Sequence, residues 1–429
     1  DYDNDGITDL LVPFSYYNSC TWWLMRETGA IFSYEAVSSK TGCLEASRGE
    51  NVILGDINGD GLVDLGSPQN NGSEFGCVLN TGSGFRGGLV NAGFSAAGDW
   101  NYARSIDYNS DGRLDIIIPK AGNWVVYQST GSGFLEVNTQ LASAGYQDAY
   151  IMDANGDGMQ DIVSAYAGAW NVFQRSGPYP DQLTDITNGL GVTSTITYKP
   201  LSDGTVYSKY SSAVFPMQEF QGPVYVVSAT AIDDGAGGRY LTDYRYTGAR
   251  IHRQGRGFLG FGAVTSTDPQ TGISITTNYR QNFPYIGMIV SVEARLNGVV
   301  IDKTENILDE VTDINNQTGV HFPYVSQSTR KNYDVPVNAA SGVGAFIKTV
   351  STETVYETNQ GGAGHFGNPA RITEITTGTG NDVFTRVTDF LYEDPDPGRW
   401  ITDRVALTSV RHVASNQSAV TRTSGFGYY

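Results

Sequence analysis

A nine-residue pattern, D-x-[DN]-x-D-G-x-x-D, occurs four times in the first 161 residues, starting at Asp1, Asp56, Asp107 and Asp153. The spacings of 55, 51 and 46 residues exceed a turn of β-solenoid and approach the roughly 40–50 residues of a four-stranded propeller blade. Each copy is flanked alike. A short strand-like run precedes it (Asn51 to Leu54, Ala149 to Met152) and another follows (Asp9 to Val12, Asp115 to Ile118, Asp161 to Val163). A further apolar strand comes later, Trp22-Trp23-Leu24, Cys77-Val78-Leu79, Trp124 to Tyr127 or Trp170 to Phe173, and two repeats close on Thr-Gly-Ser-Gly-Phe.

The oxygens of this pattern are arranged to wrap a cation. Positions 1, 3, 5 and 9 carry carboxylate or amide oxygens, glycine at 6 permits a sharp turn, and the carbonyl at 7 is available. The first loop offers Asp1, Asp3, Asp5 and Asp9 with the Ile7 carbonyl, and the second Asp56, Asn58, Asp60 and Asp64 with Leu62. The third offers Asp107, Asn109, Asp111 and Asp115 with Arg113, and the fourth Asp153, Asn155, Asp157 and Asp161 with Met159. An all-oxygen set selects a hard ion, and tolerance for six to eight irregular ligands favours Ca2+ over Mg2+. An EF-hand would need glutamate at position 12, where this chain has Val12, Ser67, Ile118 and Ser164. The competing reading is a solvated Asp-rich turn. Against it, two carboxylates about 4 Å apart repel by about 4 kcal/mol at an effective dielectric of 20. With no histidine in the first 251 residues and loops that saturate the ion themselves, the expected role is structural: fold stability should depend on the metal.

Thirteen of the 45 acidic residues sit at these ligand positions, so four divalent ions would bring the formal charge from −18 to −10. Bases number only 27, with no basic stripe interleaved with aromatics, which excludes a nucleic-acid partner. No apolar run approaches the roughly 18 residues of a membrane-spanning helix. Three cysteines, Cys20, Cys43 and Cys77, allow at most one disulfide and show no C-x-x-C pair. The first residues lack both an initiator methionine and a secretory signal, which suits a piece of something longer.

At Gly177-Pro178-Tyr179-Pro180 the pattern changes, and a boundary is expected between residues 1–178 and 181–429. Beyond it the chain alternates: Tyr240, Tyr244 and Tyr246 share one strand face, as do Ile273, Ile275, Thr277 and Tyr279, the pattern of half-buried strands. Asp203-Gly204, Gly237-Gly238 and Asn297-Gly298 supply hairpin turns. No long amphipathic helix is present, so the fold class is all-β. His252, His321, His365 and His412 are scattered, Asp394-Pro395-Asp396-Pro397-Gly398 reads as a turn, and no G-x-S-x-G elbow occurs. The tryptophans and tyrosines read as core or cross-strand pairs rather than a sugar platform. No enzyme activity and no small-molecule substrate are expected.

The repeats resemble FG-GAP/VCBS calcium-loop blades of integrin-like β-propellers over residues 1 to about 176. The continuation Leu183-Thr184-Asp185-Ile186-Thr187-Asn188-Gly189-Leu190-Gly191 leads into Thr193 to Tyr198 and Lys199-Pro200. With Phe215-Pro216, Pro223 to Val227, Tyr244-Arg245-Tyr246 and Gly255-Arg256-Gly257-Phe258-Leu259-Gly260-Phe261, it resembles the middle region of the B component of insecticidal toxin complexes, shared by SpvB-type and Rhs (YD-repeat) proteins. Asn282-Phe283-Pro284, Gly287, Phe366-Gly367-Asn368-Pro369 and Tyr392, Trp400 and Arg404 are similar to strand-and-turn units of the Rhs shell. The resemblance implies a secreted bacterial toxin component, in which a propeller docks on a pore-forming subunit and Rhs-like strands enclose a cytotoxic polypeptide from an effector-bearing one. Four blade motifs are fewer than the six or so that such a propeller needs, and Tyr429 falls well before a complete shell.

The expected architecture is thus a partial β-propeller with calcium loops followed by an Rhs-like curved β-sheet shell segment, acting in structure and docking. The alternative is an integrin-like or lectin-like calcium-dependent surface adhesin. The second half separates them: an adhesin requires a self-contained sandwich, a shell segment an open sheet.

Overall fold

The structure, a computed structural model, describes residues 2, 9–16, 19–27, 32–36, 52–69, 74–82, 84–85, 90–91, 100–177, 179–312, 319, 321–335, 342–356, 367–380, 382–394, 399, 403–415 and 417–428. The chain divides into two compact units, Asp1–Gln182 and Leu183–Tyr429. Apart from short 3-10 turns, the regular structure of the described residues is all strand.

The described residues of unit 1 form four antiparallel meanders. The first is β1 (Leu10–Tyr16), β2 (Ser19–Glu27) and β3 (Phe32–Ala36), and the second β4 (Ile53–Gly55), β5 (Asp64–Gln69), β6 (Glu74–Val78) and β7 (Val90–Asn91). The third is β8 (Arg104–Ile106), β9 (Asp115–Lys120), β10 (Asn123–Ser129) and β11 (Phe134–Ala142), and the fourth β12 (Ala149–Met152), β13 (Asp161–Tyr166) and β14 (Ala169–Phe173). Two-residue turns with both φ positive close β9–β10 (Ala121-Gly122) and β13–β14 (Ala167-Gly168), the turn type whose twist matches that of paired strands.

The third sheet explains why its sequence is so apolar. Strand side chains alternate between faces, and here both faces are buried. Ile116, Ile118, Val125 and Tyr127 pack against Ile53, Phe75, Cys77 and Trp100, whereas Ile117, Trp124 and Val126 pack against Ile106, Ala149 and Ile162. The Ile116-Ile117-Ile118 run therefore serves two cores, one shared with the second sheet and one with the fourth. Each such side chain contributes roughly 1.5–3 kcal/mol relative to exposure. Cys77 is a free thiol buried in the first of these cores, and burial pushes its pKa up to about 12.

Unit 2 is one open sheet with a small side sheet. Its strands are β15 (Asp185–Thr187), β16 (Thr193–Pro200), β17 (Tyr207–Ser208), β18 (Met217–Glu219), β19 (Tyr225–Asp233), β20 (Arg239–Thr247), β21 (Arg250–His252), β22 (Gly257–Phe258) and β23 (Ala263–Asp268). There follow β24 (Ile273–Tyr279), β25 (Ile289–Leu296), β26 (Val299–Thr312), β27 (His321–Asp334), β28 (Ala345–Tyr356), β29 (Pro369–Gly378), β30 (Val383–Tyr392), β31 (Val405–Ala414) and β32 (Val420–Gly425). The order is β15-β16-β19-β20-β23 and then consecutive strands to β32, with β17 parallel to β20, making 15 strands; β18, β21 and β22 form a separate three-stranded sheet. Asn297-Gly298 makes the expected two-residue hairpin, with φ of 49° and 86°.

This open sheet, rather than a closed sandwich, is what the described residues of unit 2 form. Its burial follows the half-buried reading at Tyr244, Tyr246, Ile273, Thr277 and Tyr279 and departs from it at two positions. Tyr240 is 66% exposed and Ile275 41%, although each lies on an alternating face. The buried centre is local: Leu201, Tyr207 and Ala249, packed by Phe220, Val226, Tyr246 and Phe261. The Arg256 to Phe261 stretch feeds this centre. Leu259 is buried and its N–H donates to the Arg250 carbonyl at 2.8 Å.

Candidate metal centre

The second, third and fourth acidic loops each join the first and second strands of a meander, β4–β5, β8–β9 and β12–β13. Of the first loop, Asp1, Asp3, Asp5 and Ile7 lie outside the described residues. Asp9 lies directly before β1 and accepts the Tyr2 N–H through Oδ2 at 2.7 Å.

The three fully described loops repeat one hydrogen-bond pattern. The position-1 carboxylate caps the turn: Asp56 accepts the N–H groups of Asp60 and Gly61, Asp107 those of Asp111 and Gly112, and Asp153 those of Asp157 and Gly158, at 2.7–3.1 Å. The position-6 glycines Gly61, Gly112 and Gly158 have φ of 82–86°, a conformation that costs glycine little. The position-3 amides of Asn58, Asn109 and Asn155 donate Nδ2–H to Asp60, Asp111 and Asp157 at 2.7–2.9 Å. The same three aspartates accept the N–H groups of Leu62, Arg113 and Met159 at 2.8–2.9 Å.

The position-9 aspartates have a second role that their place in the motif did not reveal. Asp64, Asp115 and Asp161 are buried, each beginning the second strand of its sheet. Oδ2 accepts the N–H of position 2 (Ile57, Tyr108, Ala154) at 2.8–2.9 Å. Oδ1 accepts the N–H of Ser129, the last residue of its third strand, or of Asn80 and Arg175, two residues beyond theirs, at 2.7–2.8 Å. One carboxylate thus ties loop entry to the end of the third strand. Burial raises the pKa of Asp64, with the charges of Asp60 and Asp56 adding and the two amide bonds opposing. Asp115 is pushed up to about 6, by burial first, with Asp111 and Asp107 also raising it.

Arg113 also departs from its expected part. Beyond offering a position-7 carbonyl, its guanidinium pairs with Asp111, giving the third loop a positive group of its own.

The donor chemistry of these loops fits a hard cation. Each carboxylate offers about four lone-pair sites, and the amide bonds leave several for a metal. Among the described residues, no three acidic, histidine or cysteine side chains are already gathered as a cage. Elsewhere, a depression of about 300 Å³ lies over β29–β31. There Glu374, Arg386 and His412 stand in one cross-strand row, with Arg386 Nη2 3.6 Å from Glu374 Oε2. Trp100 and Trp124 are core residues, but Trp170 is 64% exposed, its ring 6.2 Å from that of Tyr150. No helix among the described residues is long and apolar enough to cross a membrane.

Comparison with known proteins accords with this architecture. Residues 128–287 match the family model of the insecticide toxin TcdB middle/N-terminal region, and residues 1–67 that of the FG-GAP-like repeat. Among solved structures, the Tc holotoxin pore of Photorhabdus luminescens is similar at 14% identity and a TM-score of 0.64, over 95% of this chain and 23% of that one. TcdB2-TccC3 without its hypervariable C-terminal region gives 14% and 0.63, over 92% and 23%. TcdB2-TccC3 itself gives 12% and 0.62, over 97% and 29%. At these identities the likeness is one of fold, and the chain spans about a quarter of the solved chains' length. No curated protein matches. The resemblance to a toxin-complex B component with FG-GAP-like repeats is borne out.

Proposed function

We propose that this chain is a non-enzymatic structural and docking segment of a secreted bacterial toxin-complex B protein. The observation that carries the reading is the fold shared along 95% of the chain with a solved toxin-complex chain at a TM-score of 0.64. Unit 1 supplies blades of a β-propeller that docks on a pore-forming component. Unit 2 supplies strands of a shell that, with an effector-bearing component, encloses a toxic cargo. The open 15-stranded sheet favours this over an adhesin.

Calcium braces the blades. Asp56, Asn58, Asp60, Asp64 and the Leu62 carbonyl hold one ion, and the corresponding residues of the other loops hold theirs, including Asp1, Asp3, Asp5, Asp9 and Ile7. A bound ion neutralises carboxylates that otherwise repel one another. The chain's own contribution is to pre-fold the second, third and fourth loops by the amide bonds to positions 1, 5 and 9.

Two measurements on the whole chain test this. Melting in excess calcium and in excess chelator should differ by several degrees, since a ligand that binds only the folded state stabilises it; equal midpoints reject the metal. Co-sedimentation with a toxin-complex pore-forming component should occur in calcium, and its absence rejects the docking role.

A further inference from the structure

In the second, third and fourth sheets a residue at or just past the end of the third strand does two things at once. Its backbone N–H serves its own loop, as described for Asn80, Ser129 and Arg175. Its side chain reaches back to the preceding loop. Asn80 Nδ2 donates to the Tyr2 carbonyl at 2.8 Å, 78 residues earlier in sequence. Ser129 Oγ donates to the Ile57 carbonyl at 2.6 Å, 72 residues earlier. Arg175 Nη1 donates to Ser110 Oγ at 2.7 Å, 65 residues earlier. The first two bonds are buried and both end on position 2 of the earlier loop, the residue whose N–H is held by that loop's position-9 carboxylate. Position 8 adds a second link: Leu114 N–H donates to the Asp56 carbonyl at 2.6 Å, and Gln160 Oε1 accepts the Asp107 N–H at 2.7 Å. Asn80 and Ser129 reach the position-2 carbonyl of the earlier loop and Arg175 reaches its position-4 side chain, so a link back to the preceding loop recurs with different residue types.

We infer that Asn80, Ser129 and Arg175 are positioning residues that couple the acidic loops into one row, so that a cation held by one loop orders the next and raises its affinity. The inference rests on the calcium reading of the loops. Position 2 of the first two loops is gripped both by its own loop's aspartate and by the next sheet, and the third loop is held through Ser110, so fixing either loop of a pair removes freedom from the other, and linkage makes the effect reciprocal.

Amide hydrogen exchange on the whole chain, with and without calcium, tests this alongside a calcium isotherm. Asp60→Ala alters only the exposed second loop. With calcium present it should speed exchange at Asp111 and Gly112 of the third loop by about fivefold or more, the lower end of typical site-to-site coupling. Adding Ser129→Ala, which keeps the backbone bond to Asp115 and the Leu114–Asp56 bond, should markedly reduce that transmitted effect, and an undiminished effect rejects the part assigned to Ser129. Asp157→Ala paired with Arg175→Gln repeats the comparison at the more accessible junction of the third and fourth loops, and guards against misfolding of a Ser129 variant. Exchange changes confined to the mutated loop, in a chain that still takes up calcium, overturn the coupling while leaving the metal reading intact. A wild-type chain that takes up no calcium rejects both.

Discussion

The buried carboxylate of Asp115 accepts the backbone N–H of Ser129 at 2.7 Å while its other oxygen holds the N–H of Tyr108 at 2.8 Å. Replacing it with alanine strands both amides. An unsatisfied buried donor costs about 1–3 kcal/mol, so Asp115→Ala should destabilise unit 1 by about 2–5 kcal/mol in chemical denaturation. Asp111→Ala, at the partly exposed position 5 of the same loop, should cost much less without calcium. Equal losses would reject the clamp role of position 9.

Trp100 carries the contact between the second and third sheets. Its ring stacks on Phe75 at 5.0 Å and on Tyr127 at 5.3 Å, with 1% exposure. Trp100→Ala should cost about 3–5 kcal/mol, as truncating a buried aromatic does, whereas Trp170→Ala on the exposed face of the fourth sheet should lie within about 1 kcal/mol of wild type. Thermal melts of the two variants give the comparison directly.

How much of this was legible in the sequence follows from the range of the interactions. The loops and their flanking strands were legible because turn chemistry is local: glycine at position 6 and carboxylates at 1 and 5 satisfy one another within six residues. The clamp at Asp64, Asp115 and Asp161 was not, since half of it depends on an amide 14–16 residues away. The linking residues were hidden further still. Asn80, Ser129 and Arg175 share no chemistry, and their partners lie 65–78 residues back. Their place in the repeat was the available signal, for Asn80 and Ser129 directly precede the two Thr-Gly-Ser-Gly-Phe segments. In unit 2 the tyrosine alternation correctly marked strands. It also marked half-burial at Tyr244, Tyr246, Ile273, Thr277 and Tyr279, and missed the exposure of Tyr240 and Ile275 because alternation reports a face, whereas what covers each point of that face is a tertiary fact.

Gly145 separates two reasons for requiring glycine. It has φ of 75°, and a Cβ there would stand 2.2 Å from the Ala165 carbonyl oxygen, whereas Gly168 has φ of 79° with nothing within 4 Å. Both alanine variants incur the left-handed backbone penalty of roughly 1–2 kcal/mol. Only Gly145→Ala adds a backbone clash, so it should lose at least about 2 kcal/mol more than Gly168→Ala. Matching urea midpoints for the two would show that the fourth sheet can shift to admit the methyl group.

Asp203 gives unit 2 an acid-sensitive contact next to its buried centre. Hydrogen bonds from Thr205 and from Lys199, whose Nζ is 2.9 Å from Oδ2, lower its pKa to about 2. The folded value therefore lies below the roughly 3.9 of an unfolded aspartate. The stabilisation is complete above about pH 4 and is lost as the pH falls towards 2, where the folded carboxylate also protonates. Both side chains are partly exposed, so the contribution is small and weakened by salt. Urea denaturation of the wild type and Asp203→Asn should give stabilities that differ above pH 4 and converge by pH 2. Curves that stay parallel across that interval would show that the carboxylate charge contributes nothing to the Pro200–Tyr207 turn.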